Sequence, residues 1–340
     1  MLVQGLGRTK HVPVRYRTRF KTLRIHLGKF MENQTKVDEF VLLGLTDIPE
    51  LQAVLFMVFL LIYMATVLGN CTIITVAWID PRLHSPMYFF IANLSFLDLC
   101  YSSATVPKML DHFLAERKTI SFVGCALQML FFMTFAGTEA FLLAAMAYDR
   151  YVAICLPLRY TGVMSRGACD ALVAGSWVAG TGDSLIHTIL AFQLTFCKSR
   201  TVNHFFCDIV PVLQLSCSNT TRNQIVLLAF GALIGMSSFT LTLTSYVKIV
   251  TAVLRIKSTE GRSKAFSTCS SHLLVVILFY VTIMSTYLRP GSSSELDKNS
   301  QLAVLYAVLT PLLNPFIFSL RNKAVVEALW RVSGRRGGIQ

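Results

Sequence analysis

The sequence predicts an all-α membrane protein: a seven-transmembrane helix bundle with a short amphipathic C-terminal helix. Three observations carry this. Hydrophobic residues make up 54% of the chain and charged ones only 14%, with a mean hydropathy of +0.58, as suits a chain whose solvent is mostly lipid. Seven apolar stretches fall at about 52–78, 87–110, 123–149, 169–191, 223–254, 268–288 and 299–319, each near the ~20 residues that cross ~30 Å of hydrocarbon. Lysine and arginine gather in alternate connections between them. Backbone groups in lipid must satisfy one another, so the stretches are helices. Their aliphatic length excludes a β-barrel, which would alternate over ~10-residue segments.

Length alone would allow two soluble domains in 340 residues, but the composition argues against it. The net charge of +13 is concentrated in residues 1–30, which hold eight Lys/Arg and no acid. The remainder carries +5, too little to argue for nucleic-acid binding. The chain divides into a basic extension expected to be disordered (1–30), a short tail (31–51), the seven-helix domain (52–320) and an amphipathic helix with its tail (321–340).

Orientation follows from the basic residues. Those between the first and second, third and fourth, and fifth and sixth stretches, with the carboxyl tail, number fourteen against eight on the opposite side. The positive-inside bias therefore puts 31–50 outside and the carboxyl end in the cytoplasm. Counting 1–30 reverses the balance to sixteen against fourteen. That extension is Arg-rich and acid-free, like a mitochondrial transit peptide, but lacks the apolar core of a secretory signal. Asn33-Gln34-Thr35 is a glycosylation acceptor in the outer tail. Asn93-Leu94-Ser95 has the same pattern but lies within the second stretch, and Asn219-Thr220-Thr221 is a weaker outer candidate.

Along the chain, the first stretch holds Gly69-Asn70, read most simply as a close-packing glycine beside a lone polar residue. Leu83-His84-Ser85-Pro86-Met87-Tyr88-Phe89-Phe90 opens the second, with Pro86 suited to a first helical turn. The third ends in Met146-Ala147-Tyr148-Asp149-Arg150-Tyr151-Val152-Ala153-Ile154-Cys155, an acid–arginine pair where an uncharged run should leave the membrane. Ser245-Tyr246 stands at the inner end of the fifth, and Lys264-Ala265-Phe266-Ser267-Thr268-Cys269-Ser270-Ser271-His272-Leu273 leads into the sixth. The seventh ends Pro311-Leu312-Leu313-Asn314-Pro315-Phe316-Ile317-Phe318. Its internal Asn-Pro frees a backbone carbonyl and permits a kink. Beyond it Ala324, Val325, Ala328 and Leu329 recur at helical spacing, an apolar face for the inner leaflet.

Taken together these motifs closely resemble those of olfactory receptors within the rhodopsin-like G-protein-coupled receptors, over residues 31–332. Met31 onward resembles the usual start of that family, so 1–30 reads as an upstream extension. The resemblance implies that Asp149 locks Arg150 at rest. Arg150, with Tyr151, Tyr246, Asn314 and Pro315, would then serve a switch that releases toward a stimulatory, olfactory-type G protein and cAMP. Phe318 replaces the tyrosine usual after Asn314-Pro315, which removes a hydroxyl from the water network attributed to that switch. The resemblance also implies residence in the plasma membrane of olfactory cilia.

Nine cysteines divide by location. Cys71, Cys100, Cys155, Cys169 and Cys269 sit in or beside apolar stretches and read as small hydrophobes. Cys125, Cys197, Cys207 and Cys217 cluster on the outer side, where four cysteines allow three pairings. The family arrangement is Cys125–Cys207 with Cys197–Cys217, anchoring the second outer loop as a lid. His204 and Asp208 flank Cys207, but an oxidised Cys207 leaves that metal set incomplete.

Two acids, Asp98 and Glu139, lie inside the membrane, where a carboxylate costs at least ~2.5–3.5 kcal/mol at the helix centre. One reading is a sodium ion, held in relatives beside the second-helix acid; the other is protonation with hydrogen bonds to Asn70 or Asn314. No other cofactor is expected. Helical spacing puts Phe132, Met133, Ala136 and Gly137 on an upper face of the third helix. Tyr280, Ile283, Met284 and Tyr287 of the sixth, and Val304 and Ala307 of the seventh, could face them, although bundle packing explains the same stripe. In the family such an apolar pocket takes volatile organic molecules, with Tyr280 at its floor and Val281 here in place of a common glycine. With no charged side chain in that set, a neutral hydrophobic odorant is the expected ligand.

Other classes fit less well. A transporter should show internal repeats or rows of intramembrane charges. A membrane enzyme needs clustered catalytic groups at lipid depth. Asp183 and His187, spaced i, i+4, read as a local polar pair.

Overall fold

The computed structural model describes residues 37–46, 48–197, 199–287, 303–320 and 323–332; of 264–268, 285–287, 319–320, 323 and 332 it describes the backbone only. Asn33 and the 1–30 extension lie outside the described residues, as does the start of the seventh stretch.

Seven helices pack as a bundle: α1 (Pro49–Ile79), α2 (Pro86–Leu114), α3 (Phe122–Cys155), α4 (Arg166–Phe192), α5 (Thr221–Leu254), α6 (Thr259–Tyr287) and α7, where a π-helical turn Leu305–Leu309 runs into Thr310–Leu320. A shorter α8 (Lys323–Val332) follows. Four of them, α1, α2, α3 and α5, are long and apolar enough to cross a membrane, and Cys269–Met284 and Leu305–Phe318 form shorter apolar segments. In α4 the apolar run is diluted by small and polar residues, Gly180, Gly182, Asp183 and Ser184 among them.

Local chemistry sets the helix starts. Pro49 and Pro86 occupy first-turn positions, where a missing N–H costs nothing. Ser121 Oγ accepts from Gly124 N at 3.0 Å and Ser165 Oγ from Ala168 N at 3.4 Å, capping α3 and α4. Two expected boundaries move outward. α3 runs six residues past 149, so Asp149 and Arg150 lie within a helix, and α6 begins nine residues before 268. Hydropathy marks where a helix leaves lipid, whereas its hydrogen bonds continue into water. Glu260 in the first turn of α6 complements the helix dipole there.

Gly180 permits a close helix crossing. A Cβ on it would stand 2.6 Å from Thr134 O, Thr138 N and Thr138 Oγ1, and one on Gly137 would stand 3.0 Å from Gly180 Cα. α3 and α4 therefore meet backbone to backbone, with α3 in the middle of the bundle.

One end carries a small sheet that the all-helical reading does not anticipate. β1 (Glu39–Leu42) lies between β2 (Thr119–Ser121) and β3 (Thr201–Val202), antiparallel to the first and parallel to the second. Phe40 pairs with Ile120 and Leu42 with Val202 in register, and both Phe40 and Leu42 are fully buried. Phe40 meets Phe196 edge-on at 5.4 Å and stacks on Phe122 at 6.0 Å. The segment expected to be a plain tail is thus the central strand of a lid. At the opposite end α8 turns Val325 and Ala328 into the bundle core. Arg331 of α8 donates Nε (2.9 Å) and Nη2 (2.8 Å) to Asp80 Oδ2 after α1, which fixes the helix against the bundle.

Candidate ligand and switch sites

The lid is covalently held. Disulfides join Cys125 to Cys207 and Cys197 to Cys217, while the other five cysteines are free. The first draws the loop before α5 onto the start of α3. Gln128, a lone amide one turn below Cys125, completes the anchor: its Oε1 accepts from Cys207 N and its Nε2 donates to Ala104 O of α2, both at 2.9 Å. Burial pushes His204 down to about 3, so its ring is neutral, and it meets Phe206 edge-on at 4.3 Å. A neutral imidazole packs against phenyl rings without the cost of a buried charge.

Beneath the lid, Phe132 of α3 is caged by rings: Tyr101 of α2 at 4.8 Å, Phe206 of the lid at 4.5 Å and Tyr306 of α7 at 5.7 Å. Met133 and Ala136 are partly buried against the same core, with Ile283 and Val304; Ala307 is fully buried. Tyr280 of α6 donates to Ser238 Oγ of α5 at 2.9 Å and meets Phe239 at 5.2 Å.

Three sequence expectations change. Gly137 meets Gly180 of α4, so it serves the helix crossing and does not face α6. Met284 and Val281 are exposed at 39% and 57%, on the side of α6 turned away from the core, so Val281 does not narrow a cavity. The buried face is narrower than the helical stripe suggests, because one sequence cannot show where a face ends. The side chain of Tyr287 lies outside the described residues. Tyr101, Phe206, Ser238 and Tyr306 join the site without having stood out in the sequence; being ordinary core types, they give no signal of their own.

In mid-bundle, Asn314 Nδ2 of α7 donates to Asp98 Oδ1 (3.1 Å) and Oδ2 (3.0 Å) of α2. Asn70 Nδ2 of α1 donates to Pro311 O at 3.1 Å. Pro315 has no N–H to give to that carbonyl four residues back, so a neighbouring helix supplies the donor. A Cβ on Gly69 would stand 3.1 Å from Pro315 Cγ, so the glycine admits the ring. Gly69 and Asn70 together therefore fit α1 to the proline of α7. Glu139 is buried, and its Oε1, Asn70 Oδ1 and Asn314 Oδ1 have no hydrogen-bond partner. Asn314 is hydrogen-bonded to the Asp98 carboxylate, and unpartnered carboxylate and amide oxygens are the donor chemistry of a hard cation. Among the described residues no group of three or more His, Cys, Asp or Glu stands together.

At the far end of α3, Asp149 is 1% exposed and accepts from Arg150 Nε at 2.9 Å and from Arg150 Nη2. Tyr160, in a single helical turn after α3, donates to the other oxygen, Asp149 Oδ1, at 2.8 Å. Burial and then the Asp149 carboxylate push the Tyr160 phenol upward, which keeps it a donor. Tyr246 of α5 shares a hydrogen with His272 Nδ1 of α6 at 2.6 Å, their rings parallel within 12°. Lys248 Nζ lies 5.1 Å over the Tyr151 ring. Tyr160 and His272 do not stand out in the sequence as switch residues, although His272 lies in one of its motifs. Phe318, lacking a hydroxyl, is buried in the core.

The fold is shared with squid rhodopsin, whose crystal structure matches with a TM-score of 0.64 at 16% identity, over 84% of this chain and 86% of that one. The fold is therefore the seven-helix bundle of rhodopsin. A family model described as "Olfactory receptor" matches residues 59–335. Human olfactory receptor 1F1 is 52% identical over 303 residues, covering 89% of this chain and 97% of that protein. Mouse olfactory receptor 8U3 is 51% identical over 296 residues, covering 87% and 93%. The chain belongs to the olfactory receptor family, a family of multi-pass membrane receptors and not of enzymes.

Proposed function

We propose that the chain binds small, volatile, hydrophobic odorants in the lid-side half of the bundle and activates a stimulatory, olfactory-type heterotrimeric G protein to raise cAMP. One observation carries the reading. Aromatic side chains of α2, α7 and the lid converge on Phe132 of α3, and the Tyr280 hydroxyl ties α6 to α5. A neutral ligand among these rings biases the α5–α6 contact through differential affinity for two arrangements, the one way a ligand can move such an equilibrium. The lid end faces outside and the α8 end the cytoplasm, at the plasma membrane of olfactory cilia, with Asn33 glycosylated.

Asp98, Glu139, Asn70 and Asn314 fit a sodium ion, which when bound would supply positive charge to the buried carboxylates and favour the resting arrangement. Asn70, Asp98 and Asn314 themselves hold α1, α2 and α7 together. Basal signalling that is indifferent to sodium, and unchanged by Asp98→Asn, refutes that assignment.

The principal test is a cAMP-reporter screen against diverse volatiles with an Arg150→Ala control. A response in the parent that disappears in the control supports the reading. A response that survives the control overturns the switch. Epitopes at the two ends, probed on intact cells, test the orientation.

A further inference from the structure

α4 carries a buried ionisable pair that neither the ring cage, the Asp98 cluster nor the Asp149 switch uses. Asp183 and His187 stand i, i+4, with Asp183 Oδ1 3.2 Å from His187 Nε2 and side chains 13% and 2% exposed. An ionisable group at this depth is costly unless it has a partner. His187 supplies one, which accounts for the pair but not for the rest of the carboxyl's hydrogen-bonding capacity. Asp183 Oδ1 is buried and has no hydrogen-bond partner among the described residues, although a carboxyl group accepts several donors.

Neighbouring contacts place the pair. Ser184 Oγ donates to Leu130 O, which turns that face of α4 onto α3. Asp183, the preceding residue, is about 100° round the helix, and its partner His187 meets Phe230 of α5 edge-on at 5.9 Å. The pair therefore sits toward the seam between α4 and α5. Its depth follows from the crossing of Gly137 and Gly180. Counted from there toward the lid at about 1.5 Å per residue, Asp183 stands about 4.5 Å and His187 about 10.5 Å along α4. Along α3, Met133 stands about 6 Å and Phe132 about 7.5 Å from the same crossing. The pair is thus level with the ring cage and with Met133, which packs against the bundle core and the lid core alike.

We propose that Asp183, held by His187, is a polar subsite of the odorant site that selects ligands bearing a hydroxyl. The ligand O–H donates to the Asp183 carboxyl, and its hydrocarbon body lies toward Met133 and the rings around Phe132. This rests on the odorant reading above and adds the class of ligand. Because His187 already supplies the counter-charge or the shared proton, what Asp183 lacks is a donor hydrogen and not a second cation. An ether of the same shape brings only an acceptor and leaves the carboxyl unpaired, at the cost of a buried polar group without a partner. An aliphatic alcohol remains neutral and apolar enough for the ring cage.

The test is a cAMP dose–response of the full chain to hexanol, octanol and decanol, each beside its methyl ether and its primary amine. Melting temperatures of the purified chain with the same compounds give a readout free of signalling. Alcohols should act at concentrations at least about tenfold lower than their ethers. Asp183→Leu should bring that ratio to within about twofold while the ether response persists, and Asp183→Asn, which keeps an acceptor oxygen, should retain part of it. Asp170→Asn, at an exposed site near the other end of α4, should leave the ratio unchanged. Equal potency of alcohols and ethers in the parent, an unchanged ratio in Asp183→Leu, or a preference for amines overturns the proposal. So does a parent that answers to other volatiles but to none of these alcohols. If no volatile evokes cAMP, the odorant reading fails by itself, and melting shifts that do not distinguish alcohol from ether overturn the subsite as well.

Discussion

The contact between Asn70 and Pro311 yields a sharp test of how α1 and α7 are joined. In an uninterrupted helix residue 315 would donate its N–H to Pro311 O; proline cannot, and Asn70 Nδ2 donates instead at 3.1 Å. Asn70→Leu keeps the volume but strands that carbonyl in the core. Hydrogen bonds between membrane helices average about 0.6 kcal/mol and reach about 1.7; stranding the acceptor puts this one near the upper end, about 1.5 kcal/mol. Pro315→Ala restores the missing N–H but gives up the ring packed on Gly69, so in the parent the two effects should nearly cancel. In the Asn70→Leu background the new N–H has an orphan to satisfy, and Pro315→Ala should recover about 1 kcal/mol. The assay is a thermal unfolding cycle of the four proteins in one detergent, where 1 kcal/mol corresponds to roughly 2–4 °C. The reasoning fails if the two substitutions add within about 0.5 kcal/mol, the behaviour of independent sites.

Gly180→Ala should lose about 2 kcal/mol, because its methyl would meet Thr134 O and Thr138 N at 2.6 Å, whereas Gly182→Ala, with nothing within 4 Å, should be neutral or slightly stabilising; melting temperatures of the pair check this. Tyr160→Phe removes one of the bonds holding Asp149, and at about 1 kcal/mol should raise ligand-free cAMP roughly fivefold. Cys125→Ser opens a link spanning 82 residues and Cys197→Ser one spanning 20; loop entropies of about 4.5 and 3.3 kcal/mol make the first the costlier, read as surface expression and melting temperature. Burial holds His204 neutral to about pH 3, while the unfolded chain takes up its proton near pH 6.5. Stability is therefore full above about 7 and falls by about 1.4 kcal/mol per unit once the pH is well below 6.5; in His204→Phe the slope measured between pH 5.5 and 4 should be reduced by roughly that amount.

What the sequence makes legible is whatever a single helix or a single motif carries. Lipid-length apolar runs mark the seven helices, and the strings around Arg150, His272 and Asn314 mark the family. Partner choice across the bundle is not legible. Nothing along the chain says that residues 39–42 pair with 119–121 and 201–202, because four residues are too few for an alternation to stand out and the partners are distant loops. Nor can helical spacing tell the buried side of α6 from its outer side, which is why Tyr280 and Met284 fall in one predicted pocket. Gly137 and Gly180 read as isolated glycines, and only their juxtaposition shows that each makes room for the other.

The two ends of the bundle are held by forces of different kinds, and this bears on where it can move. The lid end combines two disulfides, a three-stranded sheet and the Phe40, Phe122 and Phe196 rings. Breaking it requires a covalent change or the exposure of a fully buried core. The other end holds Arg150 through one carboxylate, steadied by Tyr160, and joins α5 to α6 through Tyr246 and His272. Those polar contacts are worth about 0.5–3 kcal/mol each, a range that overlaps the usual ~1–3 kcal/mol of an allosteric coupling energy. In the function proposed above, a ligand whose affinity for the two arrangements differs by that much shifts the second end while leaving the first intact. The Tyr280–Ser238 bond lies on the same two helices as the Tyr246–His272 contact, so a ligand that disturbs the first acts on the pair of helices the second restrains.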